Sequence, residues 1–133
     1  MKVFNGPSAK NIEELKNQYK LLNYLYVFDY NPQIQNRMER MFDEMIINLE
    51  ILNINNKLTM NFNVISDLNK ITALNLVIGG IGDGIIPKSQ VQRLHDNISN
   101  SEIHLFKKSG HYPFLEESDA FIRVISEWLT RIS

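Results

Sequence analysis

The chain has 133 residues, 44% apolar and 22% charged, with a formal net charge of −1. That length fits one domain or part of one, and that charge gives nucleic acid or an anionic membrane surface nothing to attract. Cysteine is absent, which excludes disulfides and thiolate metal sites and fits a reducing compartment.

The amino-terminal stretch Met1-Lys2-Val3-Phe4-Asn5-Gly6-Pro7-Ser8 carries no apolar signal core. No stretch approaches the ~20 apolar residues that cross a bilayer. The expected location is therefore the cytoplasm. Asn11 followed by Glu14 predicts a capped helix start. Leu15, Tyr19, Leu22 and Tyr26 then repeat at helical spacing. Asn31-Pro32 predicts a second helix opening, since proline suits the first turn. Its apolar stripe runs through Ile34, Met38, Met41, Met45, Leu49 and Leu52, and the Asn53-Ile54-Asn55-Asn56 stretch should end it. Residues 58–68 read as irregular and extended.

The pattern changes at Ile71. Leu74, Leu76, Val77 and Ile78 form an apolar run stopped by Gly79-Gly80, as a buried strand would be. Pro87 can open a helix with Val91, Leu94 and Ile98 on one face. Ile103 and Leu105 mark a second strand. Ser118 can cap a last helix with Phe121, Ile125, Trp128 and Ile132 inside. Strand, helix, strand, helix is a βαβα unit, so the strands should be parallel and the crossover right-handed. Two parallel strands are few, because such a sheet buries both faces and leaves edges to cover. The chain is thus expected to be the end of a larger α/β domain, or to pair with another chain.

Two residues carry chemistry. Asp83 lies in a Gly-rich turn just past the first strand, Gly79-Gly80-Ile81-Gly82-Asp83-Gly84. His111 lies in Ser109-Gly110-His111-Tyr112-Pro113, just past the second. A carboxylate there can accept the Nδ1–H of an imidazole, fix its tautomer and stabilise its protonated form. The Nε2 of that imidazole can then take a proton from an attacking hydroxyl and return it to a leaving group. Each residue also has a plainer reading: Asp83 as a turn aspartate bonding its own backbone, His111 as a solvated loop histidine. As a pair they follow the order of the Ser…Asp…His triad, with each acid and base beyond a strand end. The serine of a Gly-x-Ser-x-Gly turn is not found in the sequence. Ser8 lacks a strand–turn–helix context, and Ser109 is too near His111 in sequence to present its hydroxyl to Nε2.

Other motifs point less far. The glycine run does not meet the Gly-x-Gly-x-x-Gly register of a dinucleotide loop. His95, His104 and His111 lack zinc-ligand spacing. His104 should face outward from its strand and His95 should lie on a helix surface. The Met38, Met41 and Met45 stripe reads as core. No metal or cofactor is expected.

From about Leu25 onward the chain resembles the carboxy-terminal part of an α/β-hydrolase, and most resembles the proline iminopeptidase-like branch. The resemblance is carried by Val27-Phe28-Asp29-Tyr30-Asn31, Arg37-Met38-Glu39-Arg40-Met41-Phe42, Asn48-Leu49-Glu50-Ile51-Leu52-Asn53, the Gly80-x-x-Asp83…Pro87 turn, and Ser109-Gly110-His111-Tyr112-Pro113-Phe114-Leu115-Glu116-Glu117. It implies a helical cap-like segment over residues 1–68 and the carboxy-terminal βαβα part of the hydrolase core over residues 69–133. It implies Asp83 as triad acid and His111 as triad histidine. The nucleophile and oxyanion loop would lie on sequence outside these residues. The implied activity is hydrolysis of a peptide, amide or ester bond in a small molecule or short peptide. Among Glu39, Asp43, Glu44 and Glu50 one could hold a substrate amino group, although a solvated helix face explains most of them. The departures are Leu74 in place of a proline and a small, glycine-rich turn around Asp83. The alternative reading is a non-catalytic hydrolase relative that self-associates as an interaction module. Either reading expects association with a second copy or with the missing half.

Overall fold

The computed structural model describes residues 9–59 and 62–133. Ser8 lies outside them. Helix α1 (Ile12–Leu22) starts as expected, with the Asn11 side chain accepting the Glu14 N–H at 2.8 Å. It does not run on to Tyr26. A short 3₁₀ turn, Asn23–Leu25, tightens the chain and leaves Tyr26 beyond its end. Tyr26 and Val27 are buried there in the connection that follows.

Helix α2 (Pro32–Glu44) begins at the predicted Asn31-Pro32, and Asn31 Oδ1 accepts the N–H groups of Gln33 and Ile34. Ile34, Met38 and Phe42 form its buried face. The single long helix expected from the methionine stripe is in fact two. The chain leaves helical geometry at Met45, which is partly exposed, and restarts as α3 (Leu49–Thr59). Asn48 explains the restart, because its side chain accepts the Ile51 N–H and its carbonyl the Leu52 N–H. The Asn53–Asn56 stretch, expected to end a helix, lies inside α3. The region expected to be irregular contains the end of α3 and a 3₁₀ segment, Ile65–Lys70. No residue of α3 is buried, and only Leu49, Leu52 and Asn56, on one face, are half-covered.

The second half follows the expected order: β1 (Asn75–Gly80), α4 (Lys88–Asn97), β2 (Ser101–Phe106), α5 (Pro113–Glu116) and α6 (Ser118–Ile132). The strands are parallel, in register from Asn75 opposite Ser101 to Gly80 opposite Phe106. The short α5 was not expected. It begins at Pro113, and Arg37 Nη1 donates to the Leu115 carbonyl at 2.8 Å, tying it to α2. Pro87 and Ser118 each stand one place from their expected roles. Pro87 precedes the first helical residue of α4, and Ser118 is itself helical. No residue of α6 is buried, although Phe121, Ile125 and Trp128 are half-covered.

The main buried cluster is Tyr26, Val27, Ile34, Met38 and Phe42, with Tyr19, Leu22, Leu25, Met41, Ile85, Tyr112 and Leu115 against it. Its members come from the cap-like helices, from the turn after Asp83 and from the turn after His111. Apolar burial therefore locks the two chemically interesting loops to the helices in front of them. Among the described residues no helix is long and apolar enough to cross a membrane.

Candidate active site

Both loops leave the same end of the sheet. Ile81 N–H donates to the Phe106 carbonyl at 2.9 Å, extending the strand pairing one step beyond β1. Gly82 N–H donates to the Ser109 carbonyl at 2.9 Å, so the acid turn and the histidine loop are joined directly. The glycines serve this approach. None of the described glycines has positive φ, so left-handed backbone is not their purpose. A Cβ on Gly80 would stand 2.0 Å from the Gly110 carbonyl oxygen, and one on Gly110 would stand 2.5 Å from the Tyr26 carbonyl oxygen. Two backbones can touch at these points only without a side chain. Gly110 is buried and His111 half-buried, so the histidine is not the freely solvated loop residue of the plainer reading.

Within this frame the Asp83 carboxylate lies 2.8 Å from His111, Oδ2 to Nδ1. Its other oxygen, Oδ1, accepts the N–H groups of Ile85 at 2.8 Å and Ile86 at 2.9 Å. Asp83 is thus both a turn aspartate and a histidine partner. The turn bonds fix the carboxylate, and the fixed carboxylate then orients the ring. An ionised carboxylate only accepts, so Nδ1 carries the proton and Nε2 is the basic nitrogen of the neutral ring. The Asp83 side chain is 7% exposed and that of His111 28%. The carboxylate is sealed while the ring remains reachable.

The ring is boxed by aromatics. Tyr26 and Tyr112 stack on each other at 5.7 Å and each meets the imidazole edge-on, at 5.5 and 5.1 Å. Burial pushes the Tyr112 and Tyr26 phenols above their ordinary range, and the neighbouring Tyr19 and Asp83 push both the same way. Both phenols therefore stay neutral beside His111 at physiological pH.

The remaining sequence candidates lie elsewhere. Ser109 is fully buried and its Oγ donates to Glu117 Oε2 at 2.6 Å, so it is a structural hydroxyl. His95 is half-buried, with Nδ1 2.8 Å from the Ser101 hydroxyl, and is more than a helix-surface residue. His104, expected to face outward, is half-covered and meets Phe106 edge-on at 4.6 Å. Asp43 lies 3.8 Å from Lys20 on the exposed side of the helices, while Glu44 and Glu50 are exposed. Glu39 accepts from Gln35 on its own helix.

Sequence reasoning missed the segment from Leu25 to Phe28. The Leu25 carbonyl accepts the Gly84 N–H at 3.0 Å, and the Tyr26 carbonyl accepts the His111 N–H at 2.6 Å. Phe28 N–H donates to Glu116 Oε2 at 2.7 Å. The segment's quoted likeness to a known family was the one signal available, and it said nothing of these bonds.

A parallel strand pair with a crossing helix and a helical segment in front has the fold of the carboxy-terminal part of an α/β-hydrolase. Comparison with solved structures shows the same fold. The esterase from Exiguobacterium antarcticum matches with a TM-score of 0.67 at 19% identity, over 87% of this chain and 42% of that one. A meta-cleavage product hydrolase matches with a TM-score of 0.63 at 21% identity, over 96% of this chain and 48% of that one. No family model matches the chain. Among curated proteins it is similar to 2-hydroxy-6-oxononadienedioate/2-hydroxy-6-oxononatrienedioate hydrolase 1 of Pseudomonas putida, 29% identical over 139 residues, covering 98% of this chain and 46% of that protein. The chain spans about half the length of the curated relatives it matches. Hydrolases and esterases of this fold support the α/β-hydrolase superfamily, and they do not support the proline iminopeptidase-like branch in particular.

Proposed function

We propose that these residues supply the acid and the general base of a serine hydrolase. The observation that carries the reading is the 2.8 Å bond between Asp83 Oδ2 and His111 Nδ1, with the carboxylate sealed and the ring accessible. In this reading His111 Nε2 takes the proton of a serine hydroxyl as its oxygen adds to the substrate carbonyl. It passes that proton to the leaving group as the bond breaks. Water then attacks the acyl group, gives its proton to Nε2, and the serine leaves with a proton returned. The serine would come from a Gly-x-Ser-x-Gly turn, which none of the 133 residues provides. We further propose that the sequence bearing that turn covers the half-buried apolar faces of the sheet and of α6.

The substrate class we favour is a small ester or an oxo-acid, in place of a peptide amino terminus. The names of the relatives support it: one hydrolyses a hydroxy-oxo dienedioate and another is an esterase. The cap-side carboxylates also give an amino group no common binding point, because Asp43, Glu44 and Glu50 are exposed and Glu39 is bound to Gln35.

The test uses these 133 residues together with the sequence that supplies the serine turn, on one polypeptide or added as a second chain. Hydrolysis of a p-nitrophenyl ester and of a hydroxy-oxo dienedioate is followed. Asp83→Asn should lower kcat by about 10⁴-fold, because its amide would face Nδ1 with a donor and favour the wrong tautomer. Unchanged turnover in Asp83→Asn would rule the proposal out.

A further inference from the structure

The backbone leading to His111 is held by two adjacent carboxylates. Glu117 Oε2 accepts the Lys108 N–H at 2.9 Å and the Ser109 hydroxyl at 2.6 Å. Glu116 reaches further. Its Oε1 accepts the Gly110 N–H at 2.8 Å, and its Oε2 accepts the Phe28 N–H at 2.7 Å. Gly110 directly precedes His111. Phe28 lies two residues after Tyr26, whose carbonyl accepts the His111 N–H. Glu116 therefore bridges the two backbones that meet at the histidine. The same segment reaches the acid, since the Leu25 carbonyl accepts the Gly84 N–H next to Asp83.

Only a carboxylate of this length does both tasks. Glutamine has the same shape but one acceptor, and its amide would point a donor at one of the two N–H groups. Aspartate lacks a methylene of reach. The site also opposes ionisation: burial holds the Glu116 carboxyl above the usual carboxylate range, Glu117 adds to this, and the N–H groups of Phe28, Gly110 and Tyr112 only partly offset it. Against that cost, this half-buried carboxylate has hydrogen bonds from the Phe28 and Gly110 N–H groups, the Tyr112 N–H nearby, and no cation within ion-pair distance among the described residues.

We propose that Glu116 is a positioning residue, which sets the distance between the histidine loop and the Leu25–Phe28 segment and so holds His111 against Asp83. The proposal rests on the reading of that pair as acid and base, and it is tested without turnover. Nuclear magnetic resonance of the full chain follows amide exchange and the downfield His111 Nδ1 proton. In Glu116→Gln, exchange at Gly110, Phe28 and His111 should quicken about tenfold, the scale of one lost charge-assisted hydrogen bond. The Nδ1 resonance should shift or broaden, while amides of α6 keep their rates. Glu127→Gln, on the exposed side of α6, should change neither. An unaltered Nδ1 resonance in Glu116→Gln would overturn the proposal, because the clasp would then be structural only. If Glu116→Gln does not fold, the unsubstituted chain decides. The Phe28, Gly110 and His111 amides must then open together, and the Nδ1 resonance must vanish with that opening, below the urea concentration of global unfolding. Separate openings would overturn the proposal. Turnover retained in Asp83→Asn would remove the catalytic reading and leave this linkage standing.

Discussion

Replacing Gly80 by alanine should do more damage than any other single added methyl group in β1. The new Cβ would stand 2.0 Å from the Gly110 carbonyl oxygen and 2.3 Å from that of Ser109. Both obstacles are backbone, and neither can rotate away. The end of β1 must separate from the histidine loop, which breaks the Gly82 N–H bond to the Ser109 carbonyl and strains the Ile81 N–H bond to Phe106. Overpacking costs ~1–3 kcal/mol, and a buried donor left unpaired costs about as much again. A total of roughly 2–6 kcal/mol is a large part of the ~5–15 kcal/mol that holds a domain together. Gly79→Ala is the matched comparison. Its Cβ would meet Val91, at 2.7 Å from Cγ2, and a side chain on a helix can shift where a carbonyl cannot. That variant should lose only ~1–2 kcal/mol. Urea unfolding of both, at one protein concentration, gives the comparison. With a slope of ~1–3 kcal/mol per molar, the Gly80→Ala midpoint should fall by at least about 0.7 M. A Gly80→Ala midpoint equal to the parent's, or a larger loss in Gly79→Ala, would refute the claim that the loops are joined by backbone contact at this glycine.

Met38→Ala removes a fully buried side chain from the main cluster and should cost ~2–5 kcal/mol in the same urea assay. Ser109→Ala deletes the hydroxyl held by Glu117, and should lower stability by ~1–3 kcal/mol without affecting any fluorophosphonate labelling, which Ser109 should never receive. Tyr112 and Tyr26 have raised folded-state pKa values, so unfolded chains lose those protons first. Their contribution is complete below the ordinary phenol value of ~10 and is lost as pH rises through the folded values; the urea midpoint should fall above about pH 10, less steeply in Tyr112→Phe. Sedimentation across a concentration series should show species heavier than the 15.5 kDa chain, since Leu74, Ile122 and Leu129 are exposed and no residue of α6 is fully buried.

What the sequence made legible was whatever is written in a few consecutive residues. The apolar run into Gly79-Gly80 marked the end of β1, and the acid three residues on could be placed there without knowing the rest of the fold. His111 was found in the same way. Asn31-Pro32 marked the start of α2 for a similarly local reason. The break between α2 and α3 was missed although Asn48 announces it, because Met45, Leu49 and Leu52 continue the helical spacing across the gap. Periodicity outvoted a cap, and the cap won since it satisfies N–H groups that a continuing stripe on an exposed helix does not repay with burial. The bonds that tie the Leu25–Phe28 segment to the site left no local trace. Glu116 and Phe28 are 88 positions apart, and nothing near either residue requires the other. Their pairing follows from the parallel sheet, which delivers both loops to one end, and from Tyr26 and Val27, whose burial brings the connecting segment across that end. Chemistry-bearing residues at strand ends can thus be nominated from sequence, whereas the groups that hold them in place become visible only once the topology decides which backbones meet.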